Sequence, residues 1–236
     1  MVVHRFKHGA PKRLPRLTDQ VREIIRGRIL TGALHPGERV LEEAITKELG
    51  VSRGSVREAL IELEHWGYVQ RIPNRETRVT KLTHDDIVKI FQVRVPLEKT
   101  ALALVMERLK NGSVDLSELE DAYSQMRSCT ERKKWESASD WDRRFHRVLW
   151  KLADNDFLYE ALERIFIRLC TFYDVLLAQH PEMSYADFFP NPDSHDEIMQ
   201  GLRERSLDTS ERGITEIVPD MLRVHDRLAL DQEPRS

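Results

Sequence analysis

Asp142 and His146 stand four residues apart, beside a stripe of Trp141, Phe145, Val148, Leu149 and Leu152 at helical spacing. On a helix the two side chains sit one turn above each other. His195 is in phase with Ile198 and Leu202, and His225 with Ile214, Val218, Met221, Leu222 and Leu228. Three helical patterns thus each aim an imidazole inward, and one of them adds a carboxylate. That donor set suits a borderline divalent metal, Zn²⁺ first, with Ni²⁺ or Mn²⁺ as alternatives. A lone inward histidine is ordinarily a core residue with one hydrogen bond; the Asp-x-x-x-His pair together with two further imidazoles favours a metal centre.

A different chemistry belongs to Arg53 and Arg57, again four residues apart, in the stretch Val51–Leu60. Ser52 has the side chain of a helix N-cap, and Val51 with Val56 has the spacing of a hydrophobic staple. Val56, Leu60 and Leu63 form a buried stripe, which leaves both arginines on another face. A short rigid helix carrying two guanidinium forks in its first half suits the major groove of DNA.

The elements that must position these groups follow from the same reading. Residues 18–32 predict a helix capped by Thr18, with Val21, Ile24, Ile25 and Ile29 apolar, and residues 41–49 predict a second helix closed by Gly50. The arginine helix ends near Gly67. Tyr68–Ile72, a Pro73-Asn74 turn and Thr77–Lys81 read as a small β-hairpin. Three helices and a hairpin make a winged helix-turn-helix over residues 14–81, preceded by a basic flexible arm at 1–13. From 82 to 231 no strand-like alternation appears, and six or seven helices are expected: one from Thr83, then about 115–130, 134–153, 157–179, 194–205 and 209–230. Asp208 heads a sequence with the form of a capping box. The fold class is therefore mainly α, a winged head followed by an all-α bundle.

The net charge of −3 conceals an asymmetry. Residues 1–81 hold 16 Lys and Arg against 10 Asp and Glu, while the remainder holds 21 against 30. A basic first part and an acidic second part confine nucleic-acid binding to one end. Cys129 and Cys170 form no CxxC pattern and read as small thiols in a reducing compartment. No apolar run approaches the ~18 residues of a membrane span, so no membrane partner and a cytoplasmic location are expected.

Gly37-Glu38-Arg39-Val40-Leu41-Glu42, Leu49-Gly50-Val51-Ser52-Arg53, Val56-Arg57-Glu58-Ala59-Leu60 and Gly67-Tyr68-Val69 resemble, in order and spacing, the GntR-type transcriptional regulators. The resemblance implies DNA contacts at Arg39, Arg53 and Arg57, with the Ser52 turn at the same surface. The sequence departs from the pattern at Ser55, where proline is frequent, at Thr46, where alanine is usual, and at Glu76, which takes a wing-tip place commonly held by glycine. An acid there repels phosphate, so Arg75 and Arg78 become the candidates for backbone contacts. The second half resembles the FCD-type effector domain through Asp86-Ile87, Arg94 with Glu98, Asp142-x-x-x-His146, Asn155, His195 and His225. That resemblance implies metal ligands at Asp142, His146, His195 and His225 and a small organic acid, often a carboxylate, in the helical cavity. Arg94 then either clamps the acid or pairs with Glu98 four residues on; Asn155 either contacts the effector or caps a helix.

The expected protein is not an enzyme but a ligand-responsive regulator, a homodimer on a two-fold symmetric DNA operator. Two other classes compete. His84-Asp85, His195-Asp196 and His225-Asp226 admit a metal-dependent hydrolase on the all-α domain, but adjacent helical residues point ~100° apart, which turns Asp196 and Asp226 away from the interior. A metal-free dimeric DNA-binding protein would leave the inward imidazoles without a task.

Overall fold

The computed structural model describes residues 16–72, 76–180 and 193–231, the side chains of 193, 220 and 224–231 excepted. The chain divides into two compact units, Met1–Val79 and Thr80–Ser236.

In the first unit, α1 (Leu17–Leu30), α2 (Glu42–Leu49) and α3 (Arg53–His65) are joined by a three-stranded antiparallel sheet of β1 (Arg39–Val40), β2 (Val69–Ile72) and β3 (Glu76–Val79), in the order β1-β3-β2. The sequence predicts the hairpin of β2 and β3 but not β1. A two-residue strand carries no alternation to read. It exists because Arg39 faces Arg78 and Val40 faces Thr77 across the ladder. Val21, Ile25, Ile29, Val56, Leu60 and Leu63 fill the core between α1 and α3. Thr18 is not the cap of α1: it lies inside the first turn and donates its hydroxyl to Glu58 at 3.0 Å, while Asp19 accepts from the Arg16 N–H. Gly50 closes α2 at φ 64°, a left-handed backbone that lets the chain turn directly into α3.

The second unit is all helical among its described residues: α4 (His84–Lys110), α5 (Ser117–Glu131), α6 (Trp135–Leu152), α7 (Asp156–Gln179), α8 (Asp193–Glu204) and α9 (Leu207–Asp231). Six helices lie among the described residues, where six or seven are expected over the whole unit. Thr83 and Asp86 form a reciprocal capping box at the start of α4, which continues as helix through Pro96. The start of α9 differs from its prediction. Ser206 accepts from the Thr209 N–H, so the cap lies two residues before Asp208. The main core gathers Leu102, Phe145, Leu149, Leu162, Ile198 and Ile214 from five helices. At two glycines the backbones of α8 and α9 nearly touch. A Cβ on Gly213 would lie 2.3 Å from the Ser194 carbonyl, and one on Gly201 would lie 2.4 Å from the Ser210 nitrogen. Cys129 and Cys170 are free and half-buried. No helix among the described residues is long and apolar enough to cross a membrane.

Candidate functional site

Two groups of side chains remain after the core is assigned, one in each unit. In the first, Ser52 accepts from the Ser55 N–H at 3.1 Å and so starts α3 with its first turn exposed. Buried Val56, Ala59, Leu60 and Leu63 fix the opposite face. Arg53 and Arg57 therefore project outward, their side chains 67% and 61% exposed. Each meets a carboxylate from the start of α2: Arg57 Nε donates to Glu42 at 2.9 Å, and Arg53 Nη2 lies 3.6 Å from Glu43. On the sheet, the Glu76 carboxylate lies 3.4 Å from Arg39 Nε and accepts from Arg78 Nε. Arg78 also donates Nη1 to the Gly37 carbonyl at 2.9 Å. The sequence reading puts Glu76 at the wing tip. The structure instead pairs it with Ile72 in the ladder, half-buried and bonded to arginines. A groove of about 740 Å³ is lined by Arg39, Arg57 and Arg71 together with Glu42, Glu43 and Glu76. Arg75 lies outside the described residues.

In the second unit, α6 brings Asp142 and His146 inward and α8 brings His195 to meet them, all three buried. One donor atom from each lies within 4.8 Å of the other two. His195 Nε2 is 2.8 Å from Asp142 Oδ1, yet both of its ring nitrogens lack a hydrogen-bond partner among the described residues. The two imidazole rings are 5.4 Å apart, edge to face, and Phe145 and Phe166 stand against them at 5.2 Å and 5.4 Å. Burial pushes the Asp142 carboxyl up, but His195, His146 and Arg94 outweigh it and hold the group at about 2. An ionised carboxylate next to buried ring nitrogens without partners is a donor set that fits a divalent cation.

The remaining predicted positions divide. Arg94, from α4, lies over Phe166 and gives Nε and Nη2 to Glu98 at 3.1 Å and 3.0 Å. It adjoins the cluster, with Nη2 3.4 Å from His146 Nε2. Asn155 does not join it: exposed at the start of α7, it spends its side-chain oxygen on the Leu158 N–H at 3.0 Å. A helix cap satisfies an orphan backbone donor there, which is the other role the sequence left open. His225 falls within α9, but its side chain lies outside the described residues.

The geometry has its counterpart in the comparisons with known proteins. The family model of bacterial regulatory proteins, gntR family, matches residues 17–79, and that of the FCD domain matches residues 89–219. The chain belongs to the GntR family, with an FCD domain. It is a DNA-binding transcriptional regulator, and its relatives are regulators rather than enzymes. It is 30% identical to the HTH-type transcriptional regulator YdhC of Bacillus subtilis (strain 168) over 139 residues, 58% of this chain and 61% of that protein, so this match spans less than two thirds of its relative. It is 26% identical to the HTH-type transcriptional repressor RspR of Escherichia coli (strain K12) over 209 residues, 85% of each chain. The solved structure of E. coli McbR/YncC shares the fold at a TM-score of 0.61 and 22% identity, covering 93% of the regulator and 100% of that chain.

Sequence reasoning gave the pairing of Arg94 with Glu98 as one alternative but missed the contact of Glu98 with His146 and the pairing of Glu42 and Glu43 with the α3 arginines. Glu98 is 1% exposed and lies 3.3 Å from His146 Nδ1 while it holds Arg94. Burial pushes its carboxyl up, but Arg94 and His146 outweigh this and keep it at about 2. The i,i+4 spacing from Arg94 was a signal for the ion pair, but nothing local tied Glu98 to an imidazole 48 positions away. Glu42 and Glu43 gave no signal at all, since two acids at a helix start are favoured by the helix dipole alone.

Proposed function

We propose that the regulator senses a small organic acid through a divalent metal held by Asp142, His146 and His195, with His225 as a fourth ligand, and that this changes how it binds its operator. The observation that carries the sensing half is the buried meeting of one carboxylate and two imidazoles from α6 and α8, with both His195 ring nitrogens lacking a hydrogen-bond partner among the described residues. Zinc suits this set best, and nickel and manganese share the chemistry. When bound, the cation supplies a Lewis-acidic centre with positions open to a carboxylate oxygen. The chain supplies the rest. Phe145 and Phe166 keep water from the imidazoles. Glu98 faces His146 Nδ1 and favours a tautomer that leaves Nε2 as the donor atom. Arg94 neutralises Glu98, and a clamp on the acid requires that pair to open.

In the same reading Arg53 and Arg57 read bases in the major groove from α3, Arg39 and Arg78 bind from the sheet, Arg75 adds a contact to the DNA backbone, and the turn at Ser52 lies against that backbone. Two copies bind two half-sites, because a single short helix reads too few bases for a specific site. The basic residues 1–13 add nonspecific phosphate contacts, residues 14–81 read DNA, and residues 82–231 sense and dimerise in the cytoplasm.

The test joins elemental analysis with a thermal-shift screen. Purified full-length chain should carry about one Zn, Ni or Mn per protomer, and at least one small carboxylate should raise the melting temperature of metal-loaded protein but not of His146→Ala. Chain without metal, indifferent to all three ions, sinks the sensing half. Failure to select any DNA sequence from a random pool sinks the reading half.

A further inference from the structure

The acids on the reading face are not explained by DNA binding, since a carboxylate near phosphate costs affinity. Their geometry distinguishes two kinds. Glu43 is 84% exposed and lies 3.6 Å from an outer nitrogen of Arg53. Glu42 is 29% exposed and takes the Arg57 Nε hydrogen at 2.9 Å. Glu76 is 19% exposed and faces two Nε atoms, those of Arg39 and Arg78. The position on the guanidinium matters. A carboxylate on Nε takes one edge of the fork and leaves the pair of Nη groups, the edge that reaches guanine O6 and N7 or a phosphate. It also fixes the plane of a side chain that otherwise loses ~2 kcal/mol of rotamer entropy when ordered. Among the described residues, Glu42 is the only polar partner of Arg57, and Glu76 the only one of Arg39.

We propose that Glu42 is a positioning residue of the reading head: it holds Arg57 by Nε and so presents the outer nitrogens of that arginine to DNA in a fixed plane. Glu43 is a loose counter-charge without this role. Glu76, the acid that departs from the usual wing sequence, accepts from Arg78 Nε, so arginine occupies its carboxylate before phosphate arrives. The inference rests on the reading of DNA by this face and deepens it.

The experiment uses the full chain and two duplexes: one recovered by repeated selection from a random pool by the wild-type protein, and one with the same bases scrambled. Affinities are measured for both at one fixed salt concentration, and melting temperatures verify that each variant folds. Glu42→Ala should lower the ratio of selected to scrambled affinity about tenfold, the scale of one bidentate base contact. Glu42→Gln keeps an acceptor for Nε and should restore most of that ratio. Glu43→Ala should strengthen both duplexes by a similar small factor and leave the ratio unchanged. In an Arg57→Lys background, which has no Nε, Glu42→Ala should lower the ratio no further. A ratio untouched by Glu42→Ala, with both affinities rising, reduces Glu42 to a counter-charge and overturns the proposal. Equal ratios for the Ala and Gln variants overturn it also. If the wild-type chain selects no sequence, the DNA-reading assignment itself fails, and that result is distinct from the other two.

Discussion

Arg57 with Glu42 and Arg94 with Glu98 are the same chemical pair in opposite surroundings. The first has side chains 61% and 29% exposed, the second 5% and 2%. Water competes for the hydrogen bond of the first pair, so it adds little stability, and Arg57 keeps its outer nitrogens open to a base or phosphate while Glu42 takes Nε. Neither member of the second can lose its partner without leaving a charge in a medium that cannot solvate it. One arrangement suits a surface that must offer donors to DNA, the other a chamber that must hold its shape. The carboxylates in the chamber remain ionised although burial opposes it, because cationic neighbours outweigh the desolvation.

The contrast breaks most visibly at Glu98. Glu98→Ala leaves Arg94 buried and uncompensated and should destabilise the helical unit by about 3–5 kcal/mol. Urea unfolding followed through tryptophan fluorescence would measure this, with Trp135, Trp141 and Trp150 all in that unit. A loss below 1 kcal/mol would mean that the chamber admits water. Next comes metal itself. A hundredfold excess of Zn²⁺ over its dissociation constant should stabilise the chain by about 2.7 kcal/mol, and His195→Ala should abolish the shift in calorimetry. Gly213→Ala tests the chamber from behind. Its Cβ would meet the carbonyl of the residue before His195, so α8 must move. A loss of about 1–3 kcal/mol is expected, together with weaker Zn²⁺ binding in a competition titration against a chelator.

On the exposed side the effects are smaller and fall on binding. Arg57→Ala should weaken the selected operator by about 1–3 kcal/mol in a gel-shift titration, with the melting temperature unchanged. Ser52→Ala removes the α3 cap and should cost about 1 kcal/mol of stability, seen as a lower melting temperature of the head. If Arg57→Ala instead destabilised the protein as Glu98→Ala does, the comparison between the two pairs would fail.

What the sequence by itself determined is whatever depends on short spacing. The 3.6-residue period set α3 with Val56, Leu60 and Leu63 inward and both arginines outward, and the same period turned Asp142, His146 and His195 toward one interior. The tertiary structure alone decided what depends on contact between distant segments. It brought Glu98 to His146 and Glu42 to Arg57, set the two-residue strand at Arg39, and took Glu76 from an expected tip into the ladder. It also set Asn155 at a helix end and Arg94 against Glu98, contacts that local pattern offered beside roles in effector binding. Periodicity is a property of one helix and can be read along the chain. The partner of a charged group is fixed only when packing has chosen which helices touch, because the strength of each pair depends on how much water that packing excludes.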